Sequence, residues 1–115
     1  MKIITDPIPV SALQPMTEDL FEDMVKAVVD VERGQLAVHA ELHSDLEALL
    51  LEEGSRQSDL WGINLYPALF GGDDFIEFDS MINIKPSQGN RSRGVGDENI
   101  RRQIIDLVNR KVREG

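Results

Sequence analysis

Two stretches of the 115-residue sequence carry side chains whose types and spacing suit chemistry. The first is Pro86-Ser-Gln-Gly-Asn-Arg-Ser-Arg-Gly-Val-Gly96. Gly89, Gly94 and Gly96 let backbone N–H groups turn toward a ligand. Arg91 and Arg93 supply planar, bidentate donors that match phosphate or carboxylate. Ser87, Asn90 and Ser92 add neutral hydrogen-bonding groups, and a helix N-terminus following the loop adds partial positive charge. This set suits recognition of an anion. It is not a nucleotide-phosphate loop of the Gly-Lys-Ser/Thr type, because that ending is absent. The competing reading is a structural loop whose arginines pair with Asp73, Asp74 or Asp79.

The second stretch is His39-Ala-Glu41-Leu-His43-Ser-Asp45. In an extended chain the period of two puts His39, Glu41, His43 and Asp45 on one side. Two imidazoles and two carboxylates suit a divalent transition metal. If a helix begins at Ser44, Asp45 turns away and three candidate ligands remain. His43, Glu47 and Gly54 also echo part of a cupin metal motif, without its second histidine. The competing reading is the solvent face of a strand. Asp73, Asp74, Glu77 and Asp79 form an acidic patch with oxygen ligands for a cation, or partners for the two arginines.

These stretches must be held by elements that the pattern of apolar residues predicts. Lys2–Thr5 reads as a strand closed by Asp6-Pro7. Ser11 with Gln14 reads as a capping box opening a helix that is regular from Thr17. Val25–Val31 and Gln35–Glu41 read as a hairpin around Gly34, with Leu36, Val38 and Ala40 on one face. Ser44 with Glu47 reads as a second capping box, and Gly54 as the stop of that helix. Ala48–Leu51 is short and apolar, and suits helix or buried strand equally. Leu60–Tyr66 alternates, with Trp61, Ile63 and Leu65 facing one way. Phe75–Lys85 reads as the longest strand, with small Ser80 marking a bulge or a close packing point. Asp97 caps a last helix whose stripe is Ile100, Ile104, Leu107, Val108 and Val112.

The expected fold is a single α+β domain over 1–115. It has a mainly antiparallel sheet of about five strands and about three helices, in the order β-α-β-β-α-β-β-α. The helices are expected on one side of the sheet. A small cupin-like β-barrel is the alternative.

Net charge is −9, which opposes binding to nucleic acid or to an anionic membrane. The charge is unevenly spread. Residues 1–80 hold 17 acids and 4 bases, whereas residues 81–115 hold 4 acids and 8 bases. This spread suits a local basic site on an acidic body, or head-to-tail self-association; the simpler reading is a last helix that carries its bases at its C-terminus, where the macrodipole favours them. There are no cysteines, which excludes disulfides, thiolate metal sites and thiol nucleophiles. With no apolar run of signal-peptide or membrane-spanning length, a cytoplasmic location is the default expectation.

Leu60-Trp-Gly-Ile-Asn-Leu-Tyr-Pro67 and Phe75–Val95, with Glu41–Asp45 and Leu50–Ser55, resemble an uncharacterised prokaryotic family of domains of unknown function. The resemblance implies a small stand-alone protein and assigns no activity or catalytic residue. The leading expectation is a binding or regulatory domain without catalysis. It forms a homo-oligomer and takes a small anionic ligand at 86–96, with no cofactor. A metal-dependent enzyme using His39, Glu41 and His43 is the first alternative. A structural module for protein interaction is the second.

Overall fold

The computed structural model describes residues 1–115. In chain order the elements are β1 (Lys2–Ile4), β2 (Ile8–Pro9), α1 (Gln14–Leu20), β3 (Val25–Asp30), β4 (Gln35–Val38), α2 (His43–Glu52), β5 (Leu60–Leu65), β6 (Ile76–Glu77), α3 (Glu98–Lys111) and β7 (Val112–Arg113). Five strands form an antiparallel sheet in the order β1-β4-β3-β5-β6. The two-residue strands β2 and β7 pair in parallel and tie the chain's beginning to its end. The α+β class and the order of the longer elements are as expected. The sheet is open, with β1 and β6 at its edges, so the cupin-like barrel is excluded.

The helices do not share one side. Val25, Ala27 and Val29 of β3 join Leu36, Val38, Trp61, Ile63 and Leu65 in a core that Ile104, Leu107 and Val108 of α3 cover, with Leu13 and Met16 beside them. On the opposite face Val28, Ala37 and Leu60 meet Leu46 and Leu50 of α2. β3 is buried on both faces, Val25, Ala27 and Val29 on one and Val28, flanked by Lys26 and buried Asp30, on the other, as expected of a strand covered on both sides. Ala48–Leu51 is helical, and Leu46 and Leu50, one turn apart, are wholly buried. Each contributes about 1.5–3 kcal/mol by leaving water.

The strand that sequence alternation runs to Glu41 ends at Val38, because His39 takes a left-handed φ of 74°. That twist breaks the period of two and moves Ala40 to the face of Ala37 and α2. Neither expected capping box forms. Ser11 lies within a 3-10 turn at Val10–Leu13, and the N-cap of α2 is Leu42, two residues before Ser44. Asp97 caps α3 as expected, accepting from the Asn99 and Ile100 amides at 2.8 and 3.2 Å.

The largest departure is at Phe75–Lys85. Only Ile76 and Glu77 pair, with Leu65 and Asn64. Beyond them the chain bends through Ser80 into a 3-10 turn at Met81–Asn83. Ser80 is the close packing point. A Cβ on Gly62 would lie 2.5 Å from both the Ser80 Cβ and Oγ, and 3.2 Å from His43 Cδ2. We therefore expect Gly62→Ala to lower stability by about 1–3 kcal/mol through overpacking, read by urea unfolding. An unchanged midpoint would show that this contact is slack.

Candidate functional site

The 86–96 loop is built from behind by two asparagines. Asn83 is wholly buried beside β5. Its Oδ1 accepts from the Gly62 amide at 2.8 Å, and its Nδ2 donates to the Gly62 carbonyl at 2.9 Å. The carboxamide thus stands in for the peptide of a neighbouring strand where β6 has already ended. The same Nδ2 donates to the Arg93 carbonyl at 2.9 Å, which also accepts from the Ser80 amide at 3.0 Å.

Asn90 then organises the loop itself. Its Nδ2 donates to the carbonyls of Asn83, Ser92 and Gly94 at 2.7, 3.2 and 2.8 Å, and its Oδ1 accepts from the Gly96 amide at 3.0 Å. Its backbone pairs with Lys85 in both directions, closing a small loop around the left-handed Gly89. Asn90 is therefore committed to the loop, not free for a ligand. Of the other candidates, Ser87, Arg91 and Ser92 are exposed, and their side chains have no hydrogen-bond or ion-pair partner within the protein. Arg93 is exposed and its Nε donates to Asp79 Oδ1 at 2.6 Å. Asp79, rather than Asp73 or Asp74, is its acidic partner. Glu77 of the same patch is occupied by Asn64 and Tyr66, at 2.8 and 3.0 Å.

Beneath the loop lies Lys85, buried, with Nζ donating to the Gln57 carbonyl at 2.8 Å and standing 5.3 Å from the centre of the Trp61 ring. Burial pulls its pKa below the usual lysine value, and the charges of Glu47 and Asp59 oppose that shift. Arg101 stacks on Phe78 at 4.2 Å and donates to the Val95 carbonyl at 3.2 Å, which fixes the start of α3 against the loop.

The second candidate set is not gathered. His39 turns to Asp19, with Nε2 3.1 Å from Oδ2. His43 is buried at the first turn of α2, and its Nε2 donates to the Ile63 carbonyl at 2.8 Å. Glu41 and Asp45 are exposed. No three His, Asp or Glu side chains, these four included, converge in a metal-holding arrangement. The physical reason is local: positive φ at His39 and helix onset at His43 end the extended run that would align them.

Sequence patterning missed Gly62, Asn64 and Asn83. The available signal was polarity in the wrong place: Asn83 interrupts Ile82 and Ile84, and Asn64 interrupts Ile63 and Leu65. A buried asparagine in an apolar run needs partners, and here those partners are the backbone of the site.

Residues 2–111 match the family described as protein of unknown function (DUF5674), and the chain belongs to that family. No curated protein and no solved structure matches the chain. No helix is long and apolar enough to cross a membrane.

Burial lowers the His43 pKa from 6.5, Lys26 lowers it further, and the Ile63 carbonyl, Asn64 and Asp79 act against them. The folded state therefore keeps the imidazole neutral where the unfolded chain takes up a proton. The contribution of His43 to stability is full above pH 6.5 and is lost as the pH drops from there toward the folded-state pKa. We expect His43→Gln to flatten this part of the stability–pH curve in urea unfolding. An unchanged slope would assign it to other groups.

Proposed function

We propose that this chain is a small binding domain that holds an anionic group on the outer side of the 86–96 loop, between Arg91 and Arg93. One observation carries the reading: the loop is built by Asn83 and Asn90, so neither arginine side chain is needed to fold it. Arg91 has no protein partner, and Arg93 has one exposed ion pair. Exposed pairs contribute about 0–1 kcal/mol, so a phosphate or carboxylate can compete for Arg93. The loop's backbone is rigidly tied, which reduces the ordering cost of binding. Residues 81–115, which include the loop, carry a basic excess within an otherwise acidic chain.

A metal-dependent enzyme at His39, Glu41 and His43 has less support, because His39 would first have to leave Asp19 and reverse its backbone twist. Self-association through the open edges of β1 and β6 belongs to our proposal. A monomeric mass by light scattering would remove that part.

The test is a thermal-shift and calorimetric titration with inorganic phosphate, pyrophosphate and citrate. Wild type should be stabilised, and Arg91→Ala with Arg93→Ala should abolish the effect. The double variant should itself lose no more than about 0.5 kcal/mol, as for exposed positions. Stabilisation that survives the double substitution would place the anion elsewhere.

A further inference from the structure

A cleft of about 510 Å³ lies between the chain around β6 and one side of α3. That is the size of a site for a small molecule. Phe75, Ile76 and Phe78 line it from the β6 side, and Arg101 and Ile105 from α3. Phe75 is buried and packs edge-to-face with Phe70 at 5.1 Å, so part of the apolar wall is fixed before anything binds. No side chain closes the cleft at Gly71-Gly72, and Gly71 has a left-handed φ of 90°, which favours glycine there.

Arg101 is the one cation in this lining. It is half-buried, and two contacts hold it. Its guanidinium stacks on Phe78 at 4.2 Å from the ring centre, and its Nη1 donates to the Val95 carbonyl at 3.2 Å. Its Nε and Nη2 have no acceptor within the protein, and it joins none of the ion pairs. The fold thus orients a planar set of donors at the border of an apolar cleft and leaves most of it unused. A carboxylate matches such a guanidinium with two parallel bonds. Because stacking already restrains the side chain, less freedom is lost on binding. Asp73, the one acid in the lining, is exposed and disfavours a second negative charge. In the adjoining recess Arg102 and Glu98 flank Arg101 and offset each other. A singly charged anion therefore suits this cleft better than phosphate or citrate does.

We propose that the cleft binds a small monocarboxylate with an apolar body. Its carboxylate sits on Arg101 and its hydrocarbon part lies against Phe75, Phe78 and Ile105. Neither Arg91 nor Arg93 lines the cleft, so the site stands whether or not an anion binds at the 86–96 loop.

Hexanoate is the probe. Titrated into the whole protein, it should move the Arg101 Nε–H and Ile105 methyl resonances and saturate. Acetate lacks the apolar body and 1-hexanol lacks the charge, so each should bind at least about tenfold more weakly. Arg101→Gln should weaken hexanoate binding in calorimetry by at least about tenfold. Ile105→Asn should do the same, at a position 38% exposed where the fold tolerates a polar residue. The paired Arg91→Ala and Arg93→Ala variant should keep the full response. Resonances of Arg101 and Ile105 that hexanoate does not move would overturn the site. So would 1-hexanol binding as tightly as hexanoate, hexanoate binding retained in full by either Arg101→Gln or Ile105→Asn, or a response lost with Arg91 and Arg93.

Discussion

The pairing of the Asn83 carboxamide with the Gly62 peptide is the constraint on which the half of the molecule that carries the 86–96 loop depends. β5 is a central strand along most of its length, yet β6 covers only Asn64 and Leu65. Without another partner, the Gly62 amide and carbonyl would be buried and unpaired, at about 1–3 kcal/mol for each group. Asn83 supplies both bonds from a side chain. Because that side chain sits in a 3-10 turn, the chain beyond it is released from the sheet and free to form the 86–96 loop. Gly62 makes the arrangement sterically feasible, since Ser80 occupies the space a side chain would fill.

From that anchor the loop is assembled by hydrogen bonds between neutral groups. Asn90 gathers three carbonyls and one amide, and Asp97 closes the far end by capping α3. Apart from the exposed Asp97 cap, charged side chains are kept out of this framework: Arg91 and Arg93 point to solvent, and the single buried cation, Lys85, is held by the Gln57 carbonyl and the indole face of Trp61. The division is physically economical. Neutral bonds lose little when desolvated together, whereas a buried guanidinium would need a full set of partners. The exposed arginines then stay in solvent, outside that framework.

The other histidine-bearing stretch illustrates the opposite outcome. His43 is spent on packing α2 against the sheet, where its bond to Ile63 and its contact near Gly62 lock the helix start. His39 serves the turn out of β4. Two residues that look like ligands in a one-dimensional pattern hold opposite sides of one turn, because a single left-handed residue destroys the alternation that would align them.

Local pattern by itself determined the α+β class, the β3–β4 hairpin around Gly34, the α3 stripe with its Asp97 cap, and the shared face of Trp61, Ile63 and Leu65. It also marked 86–96 as a loop carrying arginines. Those features follow from short-range periodicity and from turn and cap chemistry, which act over a few residues. Tertiary structure alone decided that helices cover both faces of the sheet, that Phe75–Lys85 leaves it after two pairs, and that Asn90 builds the loop. It also decided that His39 and His43 part. Each of those outcomes turns on bonds or contacts between residues distant in sequence, such as Asn83 with Gly62 and Ser80 with Arg93. The strand pattern of Phe75–Lys85 is present in the sequence, but a buried carboxamide that can pair with a peptide competes with the ladder and wins where the neighbouring strand carries a glycine.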